Sequence, residues 1–304
     1  MAYLTLLDLA NRQGSDPVVG LIEEVLTVAP EFQTLPTRPI AGTSFRATLR
    51  TGRASAAFRN VNEGVTPSKS TYTQKVVPMH FMDTQLEVDE AIVKGDDREL
   101  GDILADEATG AVQDGFVHVG SQIYYGKSND SKGFSGLVAN VDSSMEVDAG
   151  GVGNDTTSIW FVWEHVQGLH IPVGNNGALD LGDWTKQRIT RDSKNLMAHV
   201  NNFSGYLGLS IGSKYSIGRI KNVDAGAPVT DELGAKLYKL FKVGRKPTTC
   251  FMTPNAKFLL QKSRSSLGNT ASDATGNAFS PIPTHLAGVP IVETDSITDT
   301  EIAS

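Results

Sequence analysis

The chain has 304 residues, 39% of them hydrophobic and 20% charged, with a formal net charge of −7. That much apolar material supports a sizeable core and excludes global disorder, while the acidic balance argues against coating nucleic acid through its phosphates, which takes clustered Lys and Arg. The only cysteine, Cys250, leaves no intrachain disulfide or cysteine zinc motif and suits the cytosol of a cell, and no run of about 20 apolar residues is present to cross a membrane as a helix.

The first forty residues read as two short helices on a strap. Leu4, Leu6, Leu7 and Leu9 surround Asp8 with no basic residue ahead of them, which is not the pattern of a secretory signal. After a Gly14-Ser15 break, Asp16 is placed to cap a second helix with Pro17 at its first position. Val18, Val19, Ile22, Val25 and Leu26 form its apolar face. Pro30, Pro36 and Pro39 then impose an extended course. So thin an arm cannot bury its own apolar surface and needs the body or a neighbour to lie against.

From Gly42 to Pro78 the pattern is extended: Phe45, Ala47 and Leu49 alternate, Ala57-Phe58-Arg59 follows, and Tyr72 to Val77 closes the segment around a polar stretch from Asn60 to Ser70. This predicts a long two-stranded excursion, which is marginal alone and again asks for a partner. The strongest periodicity runs from Asp96 to Tyr125. There Leu100, Ile103, Leu104, Ala108, Ala111, Val112, Phe116, Val119 and Ile123 recur at spacings of three and four. It predicts one long helix, with Gly101, Gly110, Gly115 and Gly120 requiring close packing to hold it. A β-rich region follows, with strands expected at Ser158 to Trp163, Tyr206 to Ile211 and Tyr215 to Ile220. Beyond it come a helix from Thr230 to Phe241, a strand from Lys246 to Met252, a helix from Pro254 to Arg264, a polar loop to Ser280 and a last strand from Gly288 to Ile297.

Chemistry is harder to find. His165 and His170 are five apart, where two imidazoles on one helical face need four. Gly208 to Lys214 lacks the glycine spacing and Gly-Lys-Ser/Thr ending of a phosphate loop, and Gly150-Gly151-Val152-Gly153 is not followed by a helical run. Asp96-Asp97 is explained by the start of the long helix, and Lys257, Lys262 and Arg264 by a solvated helix face. No nucleophile, base and orienting group assemble, so no catalytic residue, cofactor or metal is assigned. Glu63 and Asp89 stay open as the carboxylates of a soluble hydrolase, since paired acids can act without a motif.

Taken in order, several strings resemble the major capsid proteins of tailed bacteriophages. They are Leu4-Thr5-Leu6-Leu7-Asp8-Leu9-Ala10, Val19 to Glu24, Ala29-Pro30-Glu31, Gly42 to Phe45, Phe58 to Gly64, Gly136-Leu137, Thr157 to Trp160, Gly205 to Leu209, Arg219 to Asn222 and Gly288 to Ile297. Together they cover about half the chain; Arg53-Ala54 departs from the Leu-Pro pair of that pattern. The resemblance implies an α+β fold of the Hong Kong 97 type. Its parts would be an N-terminal arm (1–40), an extended loop (41–80), a peripheral domain (81–224, spine helix 96–125, part of 131–223 a β-rich elaboration), an axial domain (225–288) and a returning strand (289–304).

The resemblance further implies self-assembly into the hexamers and pentamers of an icosahedral head enclosing double-stranded DNA. The partners it implies are a scaffolding protein, a portal, decoration proteins and DNA contacted non-specifically; the shell would be built in the bacterial host cytoplasm and end in the virion, with no membrane involved. No cleavable scaffold segment is expected ahead of the arm. Candidate intersubunit contacts are Leu6, Leu9, Ile22, Phe45, Phe58, Arg59 and Tyr72. Some relatives weld subunits through a Lys–Asn isopeptide bond, for which Lys69 and Lys75, in or beside the loop tip, are the available amines. Rival readings are an encapsulin-like compartment for protein cargo, the hydrolase, and a tail or fibre protein. Deleting residues 2–28 is expected to leave a body that folds but builds no correct shells; normal particles by electron microscopy would refute the role of the arm.

Overall fold

The computed structural model describes residues 29–94, 100–191, 193–267 and 280–303. The two helical patterns of the arm, with Leu6, Leu9 and Ile22, lie outside the described residues, as do residues 96–99 at the expected start of the long helix.

A helix from Leu100 to Tyr125 spans about 39 Å at 1.5 Å per residue. Ile103, Leu104, Ala108, Ala111, Val119 and Ile123 are buried along it as the periodicity predicts, while Leu100 is exposed. Only two of its four glycines answer to close packing. A Cβ at Gly115 would meet the Phe203 ring at 3.0 Å, and one at Gly120 would collide with Ser296; nothing lies within 4 Å of the Cβ position at Gly101 or Gly110.

The helix lies against a seven-stranded sheet whose main path is Thr37–Pro39, Leu169–Val173, Lys194–Leu207, His80–Asp89. Lys194–Leu207 is its backbone: it pairs antiparallel with all of His80–Asp89, with Thr185–Arg191 across a tight hairpin, and with Leu179–Leu181. The strand expected at Tyr206 to Ile211 is split. Leu207 ends the long strand and Ser210–Ile211 forms a separate short one, because the chain turns at Gly208, whose backbone N–H donates to Pro172.

A six-stranded sheet runs His285–Leu286, Val289–Glu293, Thr249–Met252, Thr157–Val162, Ile217–Val223, Glu146–Asp148. Every residue of Thr157–Val162 is buried, and the alternation of a strand distributes them. Trp160 and Val162 join the core under the long helix with Phe251, whereas Ile159 and Phe161 join a second core with Cys250 and Met252. A strand covered on both faces reads as a continuous apolar run, as Ile159 to Trp163 does.

The second core is closed by the helices Asp231–Leu240 and Pro254–Leu267. Thr230 caps the first, its hydroxyl accepting from the Leu233 N–H. The strand expected from Tyr215 begins at Ile217, since a Ser213–Ser216 capping box first winds Lys214–Ser216 into a 3-10 turn. The cut expected at 224/225 does not follow this sheet, which takes strands from both sides of it because Thr157–Val162 pairs with Ile217–Val223 on one edge and Thr249–Met252 on the other.

Both ends of the described chain meet at the C-terminal end of the long helix. Glu31, in the turn Glu31–Thr34, is fully buried. It accepts hydrogen bonds from Tyr124 (2.9 Å), Thr294 (2.5 Å) and Ser296 (3.3 Å). Burial raises its pKa more than these donors lower it. The folded state therefore holds the proton more tightly than the unfolded chain, so this contribution to stability is full below about pH 4.5 and is lost as pH rises through the folded pKa. Glu31→Gln removes the titration. Its stability relative to wild type is expected to rise between pH 4 and 7, by about 1.4 kcal/mol for each tenfold tightening of the proton, read by calorimetry across that range. A difference independent of pH would refute the assignment.

Candidate assembly surfaces

Ser44–Gly52 and Thr71–Pro78 pair antiparallel as a two-stranded ribbon, with no third strand among the described residues, in the register Phe45–Val77, Ala47–Lys75 and Leu49–Thr73. Its root is anchored. Val77 and the following Met79 are buried, and the half-buried Phe45 lies 6.0 Å from His170 with the Arg38 guanidinium over its ring at 5.4 Å. Lys75 Nζ donates to the Ile211 carbonyl at 3.4 Å, which places it at the root and not beside the tip; Lys69 is the tip amine and is exposed.

Beyond the paired strands the chain holds itself in shape. Ser55 N–H donates to Ser68 Oγ (2.9 Å) and Ser68 Oγ back to the Ser55 carbonyl (3.0 Å). At the apex, Asn62 takes a left-handed φ of 68°, which Asn tolerates better than most residues. Arg59 donates to the Glu63 carbonyl (2.7 Å), and the Glu63 carboxylate accepts from the Asn60 N–H (3.1 Å), which holds its pKa below the ordinary value. Phe58 is fully exposed, and Val61, Val65, Tyr72 and Val76 are exposed with it. Residues 41–78 carry six Lys or Arg and one acid, a balance of +5 that leaves −12 on the rest of the chain. The ribbon is thus basic, studded with exposed apolar side chains and without a core of its own.

Of the expected contact residues, Phe58 and Arg59 sit together at the tip, Tyr72 stands exposed on the second strand, and Phe45 turns inward at the root. The candidate acids are not brought together. Glu63 is at the ribbon apex, whereas Asp89 caps the short helix Glu90–Val93 by accepting from the Ala91 N–H. Among the described residues no group of three His, Cys, Asp or Glu could hold a metal ion. His165 is stacked on Trp163 at 4.9 Å, while His170 is buried. Lys257 pairs with Glu293 and Arg264 with Asp231, so both serve the body.

A groove of about 770 Å³ separates the strand His80–Asp89 from the long helix. Met82, Val119 and Phe134 line it together with the carboxylates of Asp83, Asp106, Glu107, Asp114 and Asp130. Its acidity is opposite to the charge of the ribbon. Sequence reasoning missed both this groove and the polar clamp on the C-terminal segment. In the clamp, Glu301 accepts from Arg219 (3.0 Å), Ser158 (2.5 Å) and Tyr125 (2.7 Å), and Arg219 also reaches Glu146 at 3.5 Å. Nothing in the sequence pairs Arg219 with a carboxylate 82 residues away.

Residues 40–303 match the family model "Major capsid protein GP7". No curated protein matches the sequence. Among solved structures, a chain of bacteriophage Epsilon15 superposes with a TM-score of 0.76 at 18% identity, over 100% of this chain and 98% of that one. The capsid of bacteriophage JBD30 gives 0.54 at 12% identity over 97% and 95%. An encapsulin complex of Synechococcus elongatus gives 0.51 at 10% over 74% and 97%. At these identities the likeness is one of fold.

The Arg219–Glu301 pair is nine-tenths buried on both sides. Removing Glu301 leaves the buried Arg219 charge with only its longer contact to Glu146 at 3.5 Å, so Glu301→Ala is expected to cost about 3 kcal/mol in chemical denaturation. A loss under about 0.5 kcal/mol, the range of an ordinary surface substitution, would show the clamp to be ornamental.

Proposed function

The chain belongs to the major capsid protein GP7 family, and from that premise we propose that its ribbon is the extended loop through which neighbouring subunits grip one another in hexamers and pentamers. The chain is a structural protein of a bacteriophage virion, with the α+β fold of the Hong Kong 97 type, and it assembles with itself into a shell. The observation that carries the reading of the ribbon is Phe58, fully exposed at the tip of a projection with no core of its own.

Charge supports the same reading. A ribbon of +5 against −12 on the rest of the chain favours laying one subunit's ribbon across the acidic groove of the next, and such complementarity fixes register and suppresses wrong pairings. Contacts closing as rings give the capsomers, and modest contacts repeated over a shell add up to a stable container while each stays correctable. Residues 1–40 act as the arm, the long helix with the seven-stranded sheet takes the peripheral place, and the six-stranded sheet with its two helices takes the axial place. Scaffolding, portal and decoration proteins are the further partners, DNA is held without sequence preference, assembly occurs in the host cytoplasm, and no catalysis is assigned.

Negative-stain electron microscopy of the protein, expressed with and without its neighbouring phage genes, tests this directly: closed particles of uniform size are expected. Phe58→Asp is expected to give soluble subunits with an unchanged melting temperature and few or no shells. Normal shells from that variant would refute the tip contact, and wild-type protein that stays monomeric even with the neighbouring genes would refute the reading as a whole.

A further inference from the structure

The root of the ribbon encloses a second cavity, of about 510 Å³. Four arginines line it, Arg38, Arg46, Arg50 and Arg245, and no Asp or Glu does. They come from three parts of the chain: Arg38 from the strand Thr37–Pro39, Arg46 and Arg50 from the ribbon strand Ser44–Gly52, and Arg245 from the loop after the helix Asp231–Leu240. Among the described residues the paired arginines are Arg191, Arg219 and Arg264, and none of these four has an ion pair. Arg38 and Arg245 rest on the faces of Phe45 (5.4 Å) and Trp163 (5.6 Å), contacts that leave their N–H groups free to reach a ligand.

His170 lines the same cavity. It is 2% exposed, and neither of its ring nitrogens has a hydrogen-bond partner. A native protein rarely buries a polar ring in that way, because each unsatisfied group forfeits its hydration. Desolvation, and after it the charge of Arg38, holds its pKa down to about 4. Even so, an imidazole keeps at least one N–H to donate in either protonation state.

We propose that this cavity is an oxyanion site of the phosphate class, with the four arginines as forks and His170 as the buried donor at its wall. A single carboxylate would bring one charge and two oxygens to four guanidinium groups. A phosphate group brings close to two charges at neutral pH and three strong acceptor oxygens, which match several forks at once. An anion held there ties the strap, the ribbon and the body together, and so fixes the angle at which the ribbon leaves the subunit. The site is built from the side chains of one chain.

The test is calorimetric titration of the full chain with inorganic phosphate against chloride at equal ionic strength. Saturable binding of phosphate is expected. Arg46 and Arg50 are exposed on the ribbon, so the Arg46→Gln, Arg50→Gln double variant should keep its circular dichroism spectrum. It is expected to bind at least about tenfold more weakly, the loss of one charge-assisted hydrogen bond. Equal responses to phosphate and chloride, unchanged affinity in the double variant, or acetate binding as tightly as phosphate would each overturn the proposal. A short oligothymidylate with a terminal 5′-phosphate added as competitor identifies the source. Displacement of phosphate supports the site with a terminal phosphomonoester as its natural ligand, and no displacement supports it with free phosphate.

Discussion

The subunit hangs on one buried carboxylate. Glu31 takes hydroxyl hydrogen bonds from the end of the long helix and from the segment after the last strand, while its own backbone belongs to the turn that leads into the strap. Three segments separated by 93 and 263 positions in sequence are thereby held at one point. Burying a carboxylate is expensive, and a cluster of this kind is weak evidence for net stability. What it supplies is uniqueness: only one docking of the C-terminal return satisfies all three donors. Glu301 repeats the device a few residues on, joined to Tyr125, Ser158 and Arg219.

That fixed point determines how the two sheets share a core. With Tyr124 held by Glu31, its ring stands 6.2 Å from Trp160 and 6.4 Å from Phe251, so the end of the long helix is seated on one face of the six-stranded sheet. The other face is closed by the two shorter helices. A strand as thoroughly enclosed as Thr157–Val162 cannot shift register without moving Trp160 and Phe161 into each other's cores. The body is therefore stiff where the ribbon is not, since beyond Val77 and Met79 the ribbon has little apolar burial of its own.

Much of this was legible in the sequence because much of it is periodic. The long helix, the Thr230 cap, the helix from Pro254 and the paired arms of the ribbon each leave a local trace at a spacing of 2 or 3.6 residues. The losses occurred where tertiary contacts overrule spacing. Ser213 and Ser216 wind residues that read as strand, and Gly208 breaks a run that read as continuous. Residue 224 looked like a boundary because the sequence changes character there, yet hydrogen bonds carry the sheet across it. The surfaces were less legible still. Phe58 and Tyr72 could be singled out as apolar residues in a thin excursion, but Arg38, Arg46, Arg50 and Arg245 converge only after three segments fold together. Glu31 stood in the sequence only as the end of the string Ala29-Pro30-Glu31, with nothing to mark it as buried.

A stiff body and a thin charged ribbon divide the work of a shell between them. The body must present the same faces in every copy, which is what the enclosed strands and the two carboxylate clamps secure. On the proposed reading the ribbon meets slightly different neighbours in rings of different size, and a two-stranded element anchored at its root can change its angle at small cost until an anion in the arginine-lined cavity fixes it. Its register is kept by backbone pairing from Ser44–Pro78 to Gly52–Thr71, so bending leaves the order of its side chains intact. On the same reading, long-range attraction between a ribbon of +5 and the −12 on the rest of the chain would guide approach, and the short-range fit of Phe58 and its exposed neighbours would then distinguish a correct seat from a near miss. The arrangement places adaptability in the one element that contributes least to the core.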